Sequence, residues 1–196
     1  SVHDIGSGGN EDCLKLSGVN DFTVAGSEFT RCGGDDSGSG VDMVGCHRGT
    51  IARNRFHDLS ANAVQAKGGS AEIEIRANRL LASGVRGFNL GGATGDPWFR
   101  PPLSPSAPNA EARDLVVVAN LIVGSEAAVA YVGCSGCVVA HNTIVDPQRW
   151  HRRAAAPPAR RNSRRGRSMD ARQAPPRAHA PQDRSAQVIA HRCRAE

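Results

Sequence analysis

A short motif recurs along most of this 196-residue chain and limits the folds that the chain can adopt. Each copy has an apolar residue, two variable residues, Asn or Ser, one variable residue and a second apolar residue. The five copies begin at Val24, Ile51, Ile75, Val117 and Val139. Their Asn or Ser positions lie 27, 24, 42 and 22 residues apart. A period of this length with one fixed polar position predicts a solenoid in which each repeat forms one coil.

A second set of segments runs in phase, upstream of the first. Each alternates apolar with mostly polar residues and closes on a glycine, at Gly18, Gly45, Gly68, Gly92 and Gly133. Such alternation predicts half-buried strands, and the closing glycine predicts a turn. The Asn motifs supply two more strands for each coil, and no amphipathic helix separates the strands. The sequence therefore predicts an all-β fold, a right-handed parallel β-helix of about five coils.

The two sets together resemble the right-handed parallel β-helix repeat proteins of the pectin-lyase-like superfamily. The resemblance covers roughly residues 10–146 and depends on the glycine-ended strands and on Asn54, Asn78, Asn120 and Asn142. It implies that these Asn residues adopt a left-handed backbone at tight bends and that their amides stack from coil to coil. That role is structural. The resemblance also implies a secreted or periplasmic protein.

Charge divides the chain near residue 150. Residues 1–150 hold 12 Lys and Arg against 16 Asp and Glu, whereas residues 151–196 hold 12 Arg against 3 acids. The first part is predicted to be the β-helix, and because neither end carries a cap, it is interpreted as a piece of a longer one. The second part is predicted to be a disordered basic tail. An out-of-frame reading would also explain the abrupt change of pattern.

Composition excludes some functions and leaves others open. No apolar run is long enough to cross a membrane. The Arg-rich tail could bind nucleic acid through phosphates, although it lacks the aromatic residues that stack on bases. Cys46 and Cys134 occupy one coil position three coils apart, which is beyond disulfide reach. Cys134 and Cys137 form a CxxC, a weak zinc pattern alone, and buried or turn cysteines are the alternative.

The glycine-ended strands should carry a row of side chains on their outward face. Successive coils place Lys15, Asp42, Gln65, Asn89 and Ala130 at the first outward position. A polar row at strand spacing makes either a groove for an extended polymer or a merely solvated surface. In the pectin-lyase-like superfamily this face carries the polysaccharide site. The resemblance therefore implies that the four polar members of the row bind substrate.

Two cations on adjacent coils, Lys67 and Arg86, give the catalytic hypothesis. They resemble the base and the neutralising cation of β-helical alginate and chondroitin lyases, although no motif surrounds them and coincidence is the alternative. In β-elimination a base removes the proton beside a uronate carboxylate while a cation stabilises the developing charge. The resemblance thus implies cleavage of an acidic, uronate-containing polysaccharide. A non-catalytic glycan-binding or scaffold protein and a nucleic-acid binder acting through the tail are the alternatives.

Three aspartates give a possible calcium site. Asp35 and Asp36 occupy the bend that leads to Asp42, and three converging carboxylates could bind Ca²⁺. The same Gly, Asp and Ser run is also ordinary turn chemistry. The sequence lacks the Gly-His-Gly that accompanies the aspartates of polygalacturonase-type hydrolases, so it does not support that chemistry.

A long insertion fills the 42-residue gap between the third and fourth Asn-containing copies. It covers residues 93–112 and leaves from the end of a glycine-ended strand. Long loops in compact folds are often functional. Trp98 could stack on a sugar ring, with Arg100 beside it in the substrate site. The alternative is that Trp98 and Phe99 pack down as a lid on the coils.

Overall fold

The computed structural model describes residues 1–6, 11–34, 37–155 and 187–192, with side chains described up to residue 149. These residues form β-strands, turns and a single 3-10 helix, Asp96–Trp98. The all-β prediction is confirmed. Within the described residues, no helix is both long and apolar enough to span a membrane.

Six strands form a purely parallel sheet, here named the front sheet. The first five are the predicted glycine-ended strands, and each pairs with the next one along the chain. At their ends Gly18, Gly45, Gly68 and Gly133 have positive φ, whereas Gly91 takes this role in the fourth strand. In spatial order the strands are Leu14–Ser17, Ser39–Val44, Asn62–Lys67, Arg86–Gly91, Ala127–Val132 and Trp150–Ala155.

The other strands form a larger sheet with two arms, which are joined because Val138–Val145 pairs in both. The first arm contains Val2–Ile5, Glu28–Cys32, Arg55–His57, Arg79–Leu81 and Leu121–Val123. The second arm contains Asn20–Ala25, His47–Ala52, Ser70–Arg76, Ala112–Arg113, Val116–Val118 and Cys134–Ser135. Neighbouring strands within each arm are parallel. Parallel strands stacked in this way are compatible with a parallel β-solenoid.

The core lies between the sheets and is continuous along the stack. The strand register places equivalent apolar residues of successive repeats beside each other. Phe56, for example, lies opposite Phe29 on one side and Leu80 on the other. All three side chains are buried, and the rings of Phe29 and Phe56 stack with centroids 5.1 Å apart. Stacking of like on like thus gives the repeat its hydrophobic stabilisation.

The predicted Asn ladder is confirmed. The Oδ1 of Asn78 accepts hydrogen bonds from the backbone N–H and the Nδ2 of Asn54, at 2.9 and 3.1 Å. In the same way, Asn120 Oδ1 accepts from the backbone N–H and Nδ2 of Asn78, and Asn142 Oδ1 accepts from those of Asn120. All four side chains are buried. Each Nδ2 also donates to a backbone carbonyl, so the ladder pairs polar groups that would otherwise be buried without partners.

One detail of the predicted ladder is wrong, because the Asn residues themselves do not take the left-handed conformation. The residue before each of them does: Arg53, Ala77, Ala119 and His141 have φ between 53° and 55°. Asn54, Asn78 and Asn120 each donate their own N–H to the next Asn, so the preceding residue has to make the bend.

Other residues with positive φ lie inside the strands and carry exposed ion pairs between neighbouring repeats. Asp21 and Arg48 both have positive φ, and the guanidinium donates to both carboxylate oxygens of Asp21, at 2.7 and 2.9 Å. The hydrogen bond from Arg48 lowers the pKa of Asp21. Arg31 binds Asp4 in the same bidentate manner, at 2.5 and 2.9 Å.

Replacing Arg48 with Gln should raise the pKa of Asp21 towards its ordinary value, because the stabilising donor and charge are removed. A depressed folded-state pKa stabilises the fold above the ordinary aspartate pKa of about 3.9. That contribution is lost as the pH falls through the folded-state pKa. NMR titration of the Asp21 carboxyl measures the change. Arg53→Gln, which removes an exposed arginine at a bend, is the control, and identical Asp21 titrations in all three proteins would contradict the pairing.

Cys13 and Cys32 form a disulfide, with their Cα atoms 5.4 Å apart. It joins the residue before the first front-sheet strand to the end of a first-arm strand. Cys46 and Cys137 are buried thiols, and Cys134 is half-buried. Among the described residues, no group of three or more His, Cys, Asp or Glu side chains could hold a metal ion. The CxxC therefore gains no further ligand from the described residues.

Two segments of the predicted tail lie within the described residues. Trp150–Ala155 extends the front sheet beside Ala127–Val132, and Gln187–Arg192 pairs antiparallel with Val138–Val145. Residues 156–186 and 193–196, where most of the disorder was predicted, lie outside the described residues. The division into a β-helix of residues 1–150 and a tail of residues 151–196 stays a prediction.

Candidate ligand-binding groove

The predicted row on the front sheet has the expected register. Lys15, Asp42, Gln65, Asn89 and Ala130 lie opposite one another on successive strands. Their exposure differs, however. Lys15 is exposed and Gln65 half-buried, whereas the other three are buried. The row is therefore accessible mainly at its Lys15 end.

An open groove of about 390 Å³ lies at that end and is here named the outer groove. It brings together three of the residues singled out in the sequence: Lys15, Lys67 and Trp98. Trp98 is 69% exposed, whereas the neighbouring Phe99 is buried. Of the two residues predicted as a lid, only Phe99 packs down. The full lining is Lys15, Ser17, Val44, Lys67, Ala93, Thr94, Gly95 and Trp98.

Two carboxylates and two ammonium groups form a cluster beside the outer groove, here named the groove cluster: Asp12, Lys15, Asp42 and Lys67. Asp42 is only 1% exposed, and its Oδ2 accepts from Lys15 Nζ and lies 3.3 Å from Lys67 Nζ. Within the described part of the chain, its Oδ1 has no hydrogen-bond partner. Asp12 Oδ2 lies 3.4 Å from Lys15 Nζ, and Asp12 Oδ1 accepts from the N–H of Ser39 at 2.7 Å. The formal charges of the cluster cancel.

Burial and charge shift two pKa values in the groove cluster. Burial raises the pKa of Asp12, and the nearby charge of Asp42 raises it further. Burial by itself would lower the pKa of Lys15, but the hydrogen bond and charge of Asp42 outweigh that effect and raise it. Lys15 is therefore an ammonium group at neutral pH, suited to binding an anion and unsuited to removing a proton.

The insertion forms the far wall of the outer groove and is held by Glu111, which the sequence analysis missed. Glu111 Oε1 accepts from the backbone N–H of Thr94 at 3.0 Å. Its Oε2 accepts from Thr94 Oγ1 at 2.8 Å and from the N–H of Gly68 at 3.1 Å. Thr94 lines the groove and Gly68 follows Lys67, so this buried carboxylate joins the two walls. Its only signal in the sequence is an acidic residue at the end of the insertion.

Arg100, predicted to bind substrate, lies outside the lining of the outer groove. Its Nη1 donates to the carbonyl of Gly18 at 2.7 Å, to Asn20 Oδ1 at 2.8 Å and to the carbonyl of Gly45 at 3.2 Å. The Arg100 carbonyl lies 3.1 Å from His47 Nε2. These contacts fasten the insertion to the bends of the coil stack.

The structure does not bring Lys67 and Arg86 together. Arg86 lies opposite Asn62, which is five residues before Lys67 on the same strand. At about 3.3 Å for each residue, the two positions are roughly 16 Å apart along the strand direction. Arg86 is therefore at the opposite end of the front-sheet strands from the outer groove.

Of the three aspartates of the predicted calcium site, Asp42 lies within the described residues, whereas Asp35 and Asp36 lie outside them. Asp42 contacts two ammonium groups, which a Ca²⁺ ion would have to displace. By its surroundings this carboxylate does not fit a calcium site, and the role of the other two aspartates stays a prediction.

Comparisons of the chain with protein-family models, with curated proteins and with solved structures found no match.

Proposed function

We propose that this chain forms a right-handed parallel β-helix of about five coils, of the pectin-lyase-like kind, and binds an acidic polysaccharide in the outer groove. The stacked parallel strands and the Asn ladder support the fold assignment. The observation that carries the function is the meeting of Lys15, Lys67 and Trp98 around one open groove.

Each wall of the outer groove offers a contact that a uronate polymer can use. The exposed Trp98 ring presents an apolar face for the C–H face of a sugar ring. Lys15 and Lys67 present ammonium groups for a carboxylate, and charge-assisted hydrogen bonds are the stronger kind. The hydroxyls of Ser17 and Thr94 can pair with sugar hydroxyls.

The lysines retain donors for a ligand although both contact Asp42. An ammonium group has three N–H donors, and the contact of Lys67 with Asp42 uses only part of that capacity. Because the groove cluster is neutral as a whole, affinity should come from local pairing and ring stacking more than from long-range attraction.

Binding without cleavage agrees best with the positions of the charged groups. Lys67 and Arg86 lie at opposite ends of their strands, Lys67 Nζ contacts Asp42, and Lys15 is held as an ammonium group. We therefore place the chain among glycan-binding β-helices instead of lyases. The Cys13–Cys32 disulfide supports a secreted or periplasmic location, because such bonds persist in oxidising compartments.

Lys67→Ala should weaken binding of a uronate oligosaccharide by roughly tenfold or more. Trp98→Ala should weaken it as well, because the ring face for the sugar is lost. A hydrogen bond to a charged group contributes about 1.5–3 kcal/mol, and each 1.4 kcal/mol corresponds to about tenfold in affinity. Isothermal titration of the full chain with uronate oligomers measures both effects. Circular dichroism establishes that each variant is folded.

Arg79→Ala is the charge-matched control, because Arg79 is an exposed cation on the first arm, away from the groove. Its affinity should equal that of the wild type. A neutral oligomer of equal length should bind more weakly than the uronate, and no unsaturated product should form. Equal affinity for both oligomers, or binding unaffected by both groove variants, would exclude the proposed site.

A further inference from the structure

Lys15 and Asp42 face each other on neighbouring parallel strands of the front sheet. Lys15 Nζ contacts Asp42 Oδ2 directly, on the outward side of the sheet. Two further members of the groove cluster, Asp12 and Lys67, reach the same pair of atoms. We propose that Lys15 and Asp42 condense into an amide, an intramolecular isopeptide bond that joins the two strands.

The reaction is a balanced condensation. The Lys15 amine attacks the Cγ of Asp42, a C–N bond forms, and the C–Oδ2 bond breaks. The ammonium group gives up two protons and the carboxylate gives up one oxygen, which together leave as water. The neutral amide replaces one positive and one negative charge, and nothing is oxidised or reduced. No co-reactant is required.

The neighbouring groups supply the proton transfer that this step needs. Asp12 Oδ2 lies 3.4 Å from Lys15 Nζ, in reach to take a proton from the ammonium group and pass it to the leaving oxygen. Burial and the charge of Asp42 raise the pKa of Asp12, which makes it a better proton carrier. Lys67 Nζ lies 3.3 Å from Asp42 Oδ2, where its charge stabilises the oxygen as the bond to carbon breaks.

The energetics of burial favour the amide over the ion pair. Asp42 is almost fully buried, and its Oδ1 has no hydrogen-bond partner among the residues that the structure describes. A buried carboxylate with an unpaired oxygen carries a large desolvation cost, and the neutral amide removes most of it. The two groups are also held in contact, so the entropy cost of bringing them together has already been met by folding.

The position of the bond suggests its use. Leu14–Ser17 is an edge strand of the front sheet, paired on one side only within the described residues. The Cys13–Cys32 disulfide fastens the residue just before this strand. An amide at Lys15 would fasten its second residue to the neighbouring strand. The bond does not depend on which ligand the outer groove binds. It would convert the Lys15 ammonium group into a neutral amide, so Lys67 and Trp98 would remain as the ligand contacts of the outer groove.

The test is the intact mass of the full chain after unfolding and complete reduction of its disulfide. We expect a mass lower by one water than the sequence requires, and a protease digest that contains the Lys15 and Asp42 peptides joined by an amide. Lys15→Arg and Asp42→Ala should each restore the full mass. The Asp42→Asn protein should lose one ammonia instead of one water, because the leaving group is then the side-chain nitrogen of the asparagine.

The Asp12→Asn variant tests the role of the proton carrier without changing the reacting pair. It keeps Lys15 and Asp42 and an acceptor for the Ser39 N–H, so a folded Asp12→Asn protein should carry much less of the cross-link than the wild type. A folded wild type with the full sequence mass, and with Lys15 and Asp42 in separate peptides, overturns the proposal. Loss of water located anywhere else in the chain counts against it as well.

Discussion

Replacing Phe56 with alanine should lower the free energy of unfolding by about 3–5 kcal/mol, the usual cost of removing a buried aromatic ring. The Phe56 side chain is fully buried, between Phe29 and Leu80 on the neighbouring strands. Its removal takes away the ring that stacks on Phe29 and opens a cavity in the middle of the coil stack. Neighbouring coils are fixed by their own strand pairing, so they can collapse only partly into the space.

Chemical denaturation of the two proteins measures this difference. Val116→Ala is the control, because Val116 lies on a strand but is 36% exposed, and its replacement should cost less than about 1 kcal/mol. A Phe56→Ala loss as small as that of the control would mean that the register of the apolar stack is different.

Asn78→Ala should be destabilising to a similar extent, by about 3–5 kcal/mol, because a buried group left without a partner costs about 1–3 kcal/mol. The change leaves the backbone N–H of Asn54 and the carbonyl of Ile51 without their partners. It also removes the bond from Asn78 Nδ2 to Asn120 Oδ1 and the bond from Asn54 Nδ2 to Asn78 Oδ1. Denaturation gives the total loss, and amide hydrogen exchange at Asn54 should become faster than in the wild type.

Two further variants separate the ladder from other effects of the residue. Asn109→Ala removes an asparagine from an exposed loop and should have little effect. Asn78→Asp keeps the acceptor for Asn54, but its side chain cannot donate to the Ile51 carbonyl or to Asn120 Oδ1, so it should be destabilising at neutral pH. If Asn78→Ala proves as mild as Asn109→Ala, the ladder contributes little to stability.

The repeat pattern predicted the strand order of the front sheet, the residues opposite one another in its outward row and the Asn ladder. Alternation with a period of two gives the direction of each side chain, and a fixed polar residue gives the phase. Neither signal predicts whether another segment of the chain covers an outward-facing side chain in the folded protein. Asp42 and Asn89 face outward as expected and are nevertheless buried.

The contacts of the insertion could not be predicted, because it does not follow the repeat. Glu111, Arg100 and the Cys13–Cys32 pair act between segments with no shared period, so only folding reveals their partners. The separation of Lys67 and Arg86 is different. It follows from the same register that aligned the outward row, and counting along that register would have placed the two residues at opposite ends of their strands.

The left-handed bends before the ladder residues have a consequence for how the fold comes apart. Arg53, Ala77, Ala119 and His141 hold a conformation that costs a non-glycine residue about 1–2 kcal/mol. Each bend is held in place by the Asn that follows it and by the Asn of the neighbouring repeat. The hydrogen bonds of the ladder thus maintain strained backbone conformations, and the loss of one Asn removes the restraint on the bends on both sides of it. Local unfolding at one of these bends should therefore extend first to the equivalent bends of the neighbouring repeats, and only then to the adjoining residues of the same chain segment.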